Sequence, residues 1–349
     1  MEIDFLIIGQ GLAGSLLAWE LIQRQKNVII VDNNQPNASL VAAGLINPVT
    51  GMRFVKSANA DQLLPVAIDC YQKLADFFNQ TFYIKKTMLR LLRNNKEATA
   101  CSKRFKDRDY RPYLDKIIPS HPDINTTFGL LRQKQTGYLL TIPLLTALKD
   151  YFISLGAYIN AEINYDEIKL TPTLRWNSIQ PKQIIFCEGH HAATANPWFS
   201  ALPFQPVKGE IITATATAKV QQNILNYGHW FIPLNNSQFR TGASFDRDSL
   251  NTAITSEARD ILLNSLKQIY PALTVEKINK QQAGIRPTTL DKMPFVGRHP
   301  KYSNFIIFNG FGAKGSLQIP WHSQNLANHL LNKKPLAQAS SILRYYHLF

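Results

Sequence analysis

Acidic residues are scarce in this chain: 24 Asp and Glu stand against 38 Lys and Arg among 349 residues, a formal net charge of +14. Cysteine is scarcer still. Cys70, Cys101 and Cys187 are widely separated and form no CxxC, which excludes a disulfide scaffold and a thiolate metal knuckle and suits a reducing cytoplasm. Eight histidines form no HExxH, and the His190–His191 pair reads as a loop or strand-end feature rather than a metal site. No apolar run is long enough to span a bilayer. The N-terminus enters an apolar strand at once, with no basic leader, so neither a signal peptide nor a membrane location is expected. Solenoid-length repeats and low-complexity linkers are also absent. Glycine is sparse too, at 17 residues, yet six of the 17 fall in two G-x-G-x-x-G motifs.

The first motif, Gly9, Gly11 and Gly14, is in full context. Phe5–Ile8 is a continuous apolar run, as in a buried parallel strand. Leu12 to Gln25 follows with Leu12, Leu16 and Trp19 on one helical face, and Val28–Val31 forms a second apolar run ending in Asp32. Asp32 lies 18 residues after Gly14, near the spacing at which a carboxylate meets a ribose hydroxyl. One glycine permits the turn, one lets the backbone approach a pyrophosphate, and one allows helix and strand to pack closely. The helix N-terminus offers free N–H groups to phosphate. The motif does not separate FAD from NAD, and a ligand-free glycine turn is the plain alternative. The second motif, Gly310, Gly312 and Gly315, follows the apolar run 304–309 and opens a helix-like segment, 316–331. No further strand ending in an acid follows, so it is not a second nucleotide half. It is either a tight strand-to-helix turn or a second contact with the same ligand.

Half of the net charge sits in one segment. Lys85–Lys116 holds eleven Lys or Arg and four Asp or Glu, interspersed with Phe105, Tyr110 and Tyr113. A solvated basic face is one explanation; an acidic partner, RNA above all, is the other.

Elsewhere, Ser39–Gly51 is small, apolar and turn-rich, suited to backbone lying close to a flat ligand. Helices are expected over 63–79, 143–155 and 256–270, and strands over 88–92, 158–163 and 183–187. The segments 211–217 and 238–244 alternate with period two and, with 230–232, predict an antiparallel sheet. The predicted fold is therefore α/β, with a discontinuous Rossmann-like dinucleotide-binding domain (1–62, 137–198 and 282–349) and an α+β substrate domain (63–136 and 199–281) whose sheet is mainly antiparallel. The ligand crevice is expected between them.

Six phrases in this order resemble the D-amino-acid oxidase superfamily of FAD-dependent oxidoreductases, particularly its glycine-oxidase-like branch. They are the first glycine motif with Asp32, Val41–Gly44, Ile185–Gly189, Pro206–Gly209, Gly284–Pro287 running into Asp291–Gly297, and Asn309–Gly315. The resemblance covers nearly the whole chain. It implies an extended FAD, its pyrophosphate on Gly9, Gly11, Leu12, Ala13 and Gly14, with Asp32, Asn33, Ala42, Ala43, Gly44, Leu45, Ile163, Cys187, Glu188 and Gly189 along its length. Gly310, Gly312, Ala313, Lys314, Gly315 and Ser316 would meet the flavin end, where the helix dipole and Lys314 would stabilise negative charge; an exposed loop lysine is the alternative for Lys314. Arg286 would touch the flavin region and bind the substrate carboxylate, its fork matching two oxygens, against the alternative of a structural ion pair. Trp230, Phe245 and Leu45 or Ile46 would line the substrate cavity or simply pack a core.

No cysteine lies between Gly284 and Gly297 to tether a flavin, so FAD is expected to be noncovalent. Ala313 and Trp230 stand where glycine-oxidase-like enzymes tend to have arginine and tyrosine, which puts glycine itself in question as the substrate. The resemblance implies oxidation of the C–N bond of a small amino acid or N-substituted glycine, with oxygen or another acceptor reoxidising the flavin. The chain is also similar to the FAD domain of the bacterial tRNA-modifying enzyme that acts on carboxymethylaminomethyl-uridine. That likeness implies a tRNA partner bound through 85–116. A non-catalytic flavoprotein scaffold is the third reading. Metal ligands and an oligomeric state are not indicated.

Overall fold

A computed structural model describes all residues, 1–349. Its first sheet has six strands in the order Tyr158–Asn160, Val28–Asp32, Glu2–Ile8, Gln180–Phe186, Phe305–Asn309 and Phe295–Arg298. The first five are parallel and the last is antiparallel. Helices cover one face and aromatic side chains the other, so the central strands are buried on both sides. That is why they read as unbroken apolar runs rather than alternating ones.

On the helical face, Leu12–Gln23 and Gly315–Asn332 pack against each other, and Ala60–Phe78 packs on the latter. Tyr71, fully enclosed in that contact, donates its hydroxyl proton to the Ser316 carbonyl at 2.7 Å, fixing the N-terminus of the last helix. On the opposite face Phe186, Trp198, Phe199 and Phe305 form a second core, with ring centroids 4.5 to 5.6 Å apart.

The second sheet has eight strands: Val275–Arg286, Val207–Ala216, Gln238–Gly242, Trp230–Pro233, Ile224–Asn226, Met88–Leu91, Leu130–Gln133 and Leu114–Ile118. Every pairing is antiparallel except Ile224–Asn226 with Met88–Leu91. The period-two pattern from Ile211 has a clear cause. Ile212, Ala214 and Ala216 enter the core beneath helix Ser256–Ile269, while Gly209 and Ile211 turn to the other face. Strand Val275–Arg286 runs unbroken across the boundary expected at residue 282.

The basic segment is not a single solvated run. Asn94 caps helix Asn95–Lys106, and Lys96, Lys103 and Lys106 are exposed. Arg90 is buried, Arg93 pairs with Glu97 at 2.5 Å, and Tyr110 and Tyr113 are core residues. The aromatics interleaved with these charges are therefore packing groups, not stacking platforms for bases.

Candidate functional site

In an open parallel sheet the strand C-termini leave a crevice where loops diverge to opposite sides. Here a cavity of about 670 Å³ opens over the ends of the four central strands, at Ile8–Gly9, Val31–Asp32, Cys187 and Asn309, and extends to the eight-stranded sheet. Its size is ordinary for a cofactor or ligand cavity, which spans roughly 300–1,000 Å³.

The first glycine loop is built by steric necessity. Gly9 has φ +101°, and a Cβ on Gly14 would stand 1.9 Å from the Gly9 carbonyl oxygen. Gly14 is thus the packing glycine and does not line the cavity, whereas Gly9, Gly11, Leu12 and Ala13 do. Gly11 has no side chain with which to cap the helix it begins; the Leu12 N–H instead donates to Ser39 Oγ at 3.0 Å. Asp32 accepts the Gln10 and Asn34 N–H groups, each at 2.8 Å, which holds its carboxylate at the rim beside Asn33.

Ala42, Ala43, Gly44 and Leu45 form one wall, while Ile46 is buried behind it. Gly44 has φ +69°, and a Cβ there would meet the Leu139 carbonyl oxygen at 2.1 Å. Arg240 donates to the Val41 and Ala42 carbonyls at 2.9 and 3.2 Å and so pins this wall from the second sheet. The pattern 238–244 carried no sign of that role: it placed Arg240 on one face of a strand but not what the face meets.

Ile163, Cys187, Glu188 and Gly189 line the opposite side. Burial pushes the Cys187 thiol well above its usual pKa, so it is no thiolate. Burial also raises Glu188 to about 7, although Tyr165 and Asn196 donate to its two oxygens at 2.6 and 2.8 Å. His190 also lines the cavity, its ring 4.0 Å from that of His191, on a turn directly after strand Gln180–Phe186. Burial and the neighbouring His191 lower its pKa to about 4.

At the other end, Gly312, Ala313, Gly315 and Ser316 line the cavity beneath the N-terminus of the last helix, which no side chain caps. Gly310 is set back against Thr289 and Phe295 with φ +82°. Lys314, expected beside the ligand, is not part of the lining. The short turn Gly312–Lys314 directs its ammonium to Ser57 Oγ at 3.1 Å, and burial lowers its pKa. The helix N-terminus, not this side chain, faces the cavity.

Arg286, Trp230 and Phe245 come together at the second sheet. Phe245 is 65% exposed and edges the mouth, so it is not a core residue. Trp230 is half-buried, and its neighbour His229 is held through Nδ1 by the Ala243 carbonyl at 3.1 Å. The Arg286 guanidinium lies against Gly209 with Nη2 nearest, so close that a Cβ there would be 1.9 Å from Nη2. Its one protein partner is the Ser244 carbonyl, 3.3 Å from Nη2, and no carboxylate pairs with it. Desolvation lowers its pKa, with no opposing acid.

These features fit an extended dinucleotide. The first glycine loop brings a helix N-terminus to the cavity with only the Leu12 N–H taken by a side chain, an anchored carboxylate stands at the rim, and a second helix N-terminus faces the far end.

Comparison with known proteins gives the family and the fold. Residues 4–329 match the family model DAO, FAD dependent oxidoreductase. The chain is 23% identical to the tRNA 5-methylaminomethyl-2-thiouridine biosynthesis bifunctional protein MnmC of Leptospira interrogans, covering 98% of this chain and 59% of that protein. It spans between 53% and 59% of the length of the first such curated relatives. Among solved structures, glycine oxidase from Geobacillus kaustophilus superposes with TM-score 0.80 at 18% identity over 96% of each chain. Iminodiacetate oxidase (IdaA) from Chelativorans sp. BNC1 does so with TM-score 0.78 at 20% identity, over 97% of this chain and 99% of that one. The chain belongs to the DAO family of FAD-dependent oxidoreductases, and FAD is its cofactor.

Proposed function

We propose that this oxidoreductase oxidises the C–N bond of a small amino acid or N-substituted glycine whose carboxylate is held by Arg286. One observation carries the reading: a guanidinium largely removed from water, facing the cavity, with a single carbonyl for a partner. A buried cation is costly unless it is paired, and a carboxylate offers the bidentate match its fork lacks here. Noncovalent FAD, held between the Gly9–Ala13 loop and the helix N-terminus at Gly315–Ser316, would supply a two-electron hydride acceptor.

The protein's part is placement. Arg286 would fix the carboxylate and thereby aim the α C–H bond, while Trp230 and Ile211 exclude water from the reacting carbon. The C–H bond breaks with its electron pair leaving as hydride, and the amine lone pair closes a C=N bond. Water then hydrolyses the imine. The amine reacts in its neutral form. The N-terminus of Gly315–Asn332 would present positive potential to the flavin end of a bound FAD. Oxygen or another acceptor completes the cycle. The Trp230 indole can donate but not accept a hydrogen bond, which favours an N-substituted glycine over glycine itself.

Anaerobic absorbance of the holoenzyme tests this. The flavin should bleach with N-alkylglycines or small amino acids, and Arg286→Ala should raise KM strongly. No bleaching across the panel sinks the proposal.

A second reading keeps the same anchor but attaches the glycine to a tRNA uridine. It is supported by the named function of the relative that matches 98% of this chain and by the exposed Lys96, Lys103, Lys106, Arg108, Arg111 and Lys116. Salt-sensitive tRNA binding that weakens when these are neutralised would favour it; binding that is absent or salt-independent rejects it.

A further inference from the structure

A second cavity, about 250 Å³, adjoins the substrate end of the first. The two share one lining residue, Gly228. Gly228 sits at the tip of the turn joining strands Ile224–Asn226 and Trp230–Pro233, between Asn226 on one side and His229 and Trp230 on the other. It has φ +108°, and a Cβ there would lie 3.1 Å from Arg93 Nη1. Gly228 itself adds no side chain at this shared edge.

The small cavity is chemically unlike the large one. Its walls are Arg90, Arg93, Asn47, Thr50 and Asn226, with little apolar surface beyond Met52 and Leu91. Arg90 is 6% exposed, yet it forms no ion pair. Its Nη2 donates to the Gly51 carbonyl at 2.9 Å and its plane lies 4.1 Å over the Phe54 ring. Glu97, the nearest acid, is taken by Arg93, through Nε at 3.0 Å and Nη2 at 2.5 Å. The cluster therefore carries two guanidinium groups against one carboxylate. The Asn226 side chain, directly across the sheet from Arg90, makes no hydrogen bond within the protein. Unspent donors around a cation whose nearest acid, Glu97, is already bonded to Arg93 are the groups an anion takes.

We infer that this cavity is a second anion subsite, and that the substrate is an N-substituted glycine bearing a further carboxylate or phosphate on its nitrogen substituent. This rests on the Arg286 reading: one anion at Arg286 places the amine in the large cavity, and the substituent passes Gly228 to set the second anion against Arg90 and Asn226. It also gives the buried part of the basic segment a role distinct from its exposed lysines.

The test uses holoenzyme and a series of N-alkylglycines of increasing chain length, each compared with its ω-carboxylate and ω-phosphate counterparts. Binding is followed by calorimetry as well as by anaerobic flavin reduction. At one chain length a charged tail should bind at least about tenfold tighter than the alkyl tail, since a hydrogen bond to a charged group contributes on the order of 1.5–3 kcal/mol. Whichever tail gains more, carboxylate or phosphate, identifies the anion. Asn226→Asp supplies Arg90 with an internal anion, so it should fold at least as stably as wild type. It should abolish the charged-tail advantage while leaving alkyl-tailed binding unchanged. Equal affinity of charged and alkyl tails at every length overturns the subsite and leaves the Arg286 reading standing, as does an advantage that survives Asn226→Asp. If no compound of either kind binds in an Arg286-dependent way, both fall.

Discussion

Gly209→Ala is the most searching test of the substrate anchor, because it moves Arg286 without removing it. A Cβ at residue 209 would stand 1.9 Å from Nη2, 2.6 Å from Cζ and 3.1 Å from Nη1 of Arg286. Ordinary non-bonded contact needs roughly 3.5 Å, so the guanidinium must shift by more than about 1 Å. The clash falls on the far end of a flexible side chain, so the strand pairing of Gly209 with Gly284 should survive. The fork, however, would no longer present two parallel N–H groups to a carboxylate. Losing a charge-assisted bidentate contact costs on the order of 1.5–3 kcal/mol, or roughly 10- to 150-fold in kcat/KM. Anaerobic rapid-mixing measurements of flavin reduction give that ratio directly. An amine without a carboxylate is the control, and its rate should change little. Two outcomes refute the reasoning: a carboxylate substrate processed at the wild-type rate, or an equal loss for both substrates.

Three further expectations follow from the same geometry. A Cβ on Gly14 would meet the Gly9 carbonyl oxygen at 1.9 Å, and backbone cannot swing aside; Gly14→Ala should cost about 3 kcal/mol or more and lower FAD retention, and a wild-type denaturation midpoint with full retention would contradict this. Asp32→Ala removes the acceptor for Gln10 and Asn34 and the proposed ribose contact, so FAD should bind roughly 10- to 150-fold more weakly in equilibrium dialysis. Burial raises the Glu188 carboxyl from 4.5 to about 7 in the native state. The native protein therefore holds a proton that the unfolded chain has released between those values, and this contribution is complete below pH 4.5 and lost as pH rises through 7. Each pH unit of that interval is worth about 1.4 kcal/mol, so Glu188→Gln should remove a decline of roughly 3 kcal/mol in the unfolding free energy of FAD-free protein. Parallel pH profiles for wild type and variant would refute it.

Much of the first half-site was legible in the chain. The runs Phe5–Ile8 and Val28–Val31 are apolar because their strands are covered on both faces, and between them Gly9 and Gly14 sit where a Cβ would strike backbone. The Gly14 constraint is local, set by Gly9 five residues before it, and Gly9 needs its positive φ within the same turn, so both leave a readable pattern. Arg286 was legible through its phrase, but the bare Gly209 surface beneath it comes from a strand 77 residues earlier. Arg240, which grips the Val41–Ala42 carbonyls, left no comparable mark. Lys314 misled for the opposite reason. Its position in the last glycine loop pointed to the ligand, yet one short turn sends its side chain to Ser57.

The basic segment separates the two sources of information most clearly. Composition by itself determined that Lys85–Lys116 carries excess positive charge, since charge is a sum over residues and needs no coordinates. It could not divide that charge between solvent and interior. Tertiary packing did: helix Asn95–Lys106 leaves Lys96, Lys103 and Lys106 in water, while the pairing of Met88–Leu91 with Ile224–Asn226 draws Arg90 inward to face Asn226. The sequence likewise determined that two glycine loops exist, at Gly9–Gly14 and Gly310–Gly315, because backbone sterics are written residue by residue. Only the folded sheet, setting strands Glu2–Ile8 and Phe305–Asn309 on either side of Gln180–Phe186, decided that both loops open into one cavity.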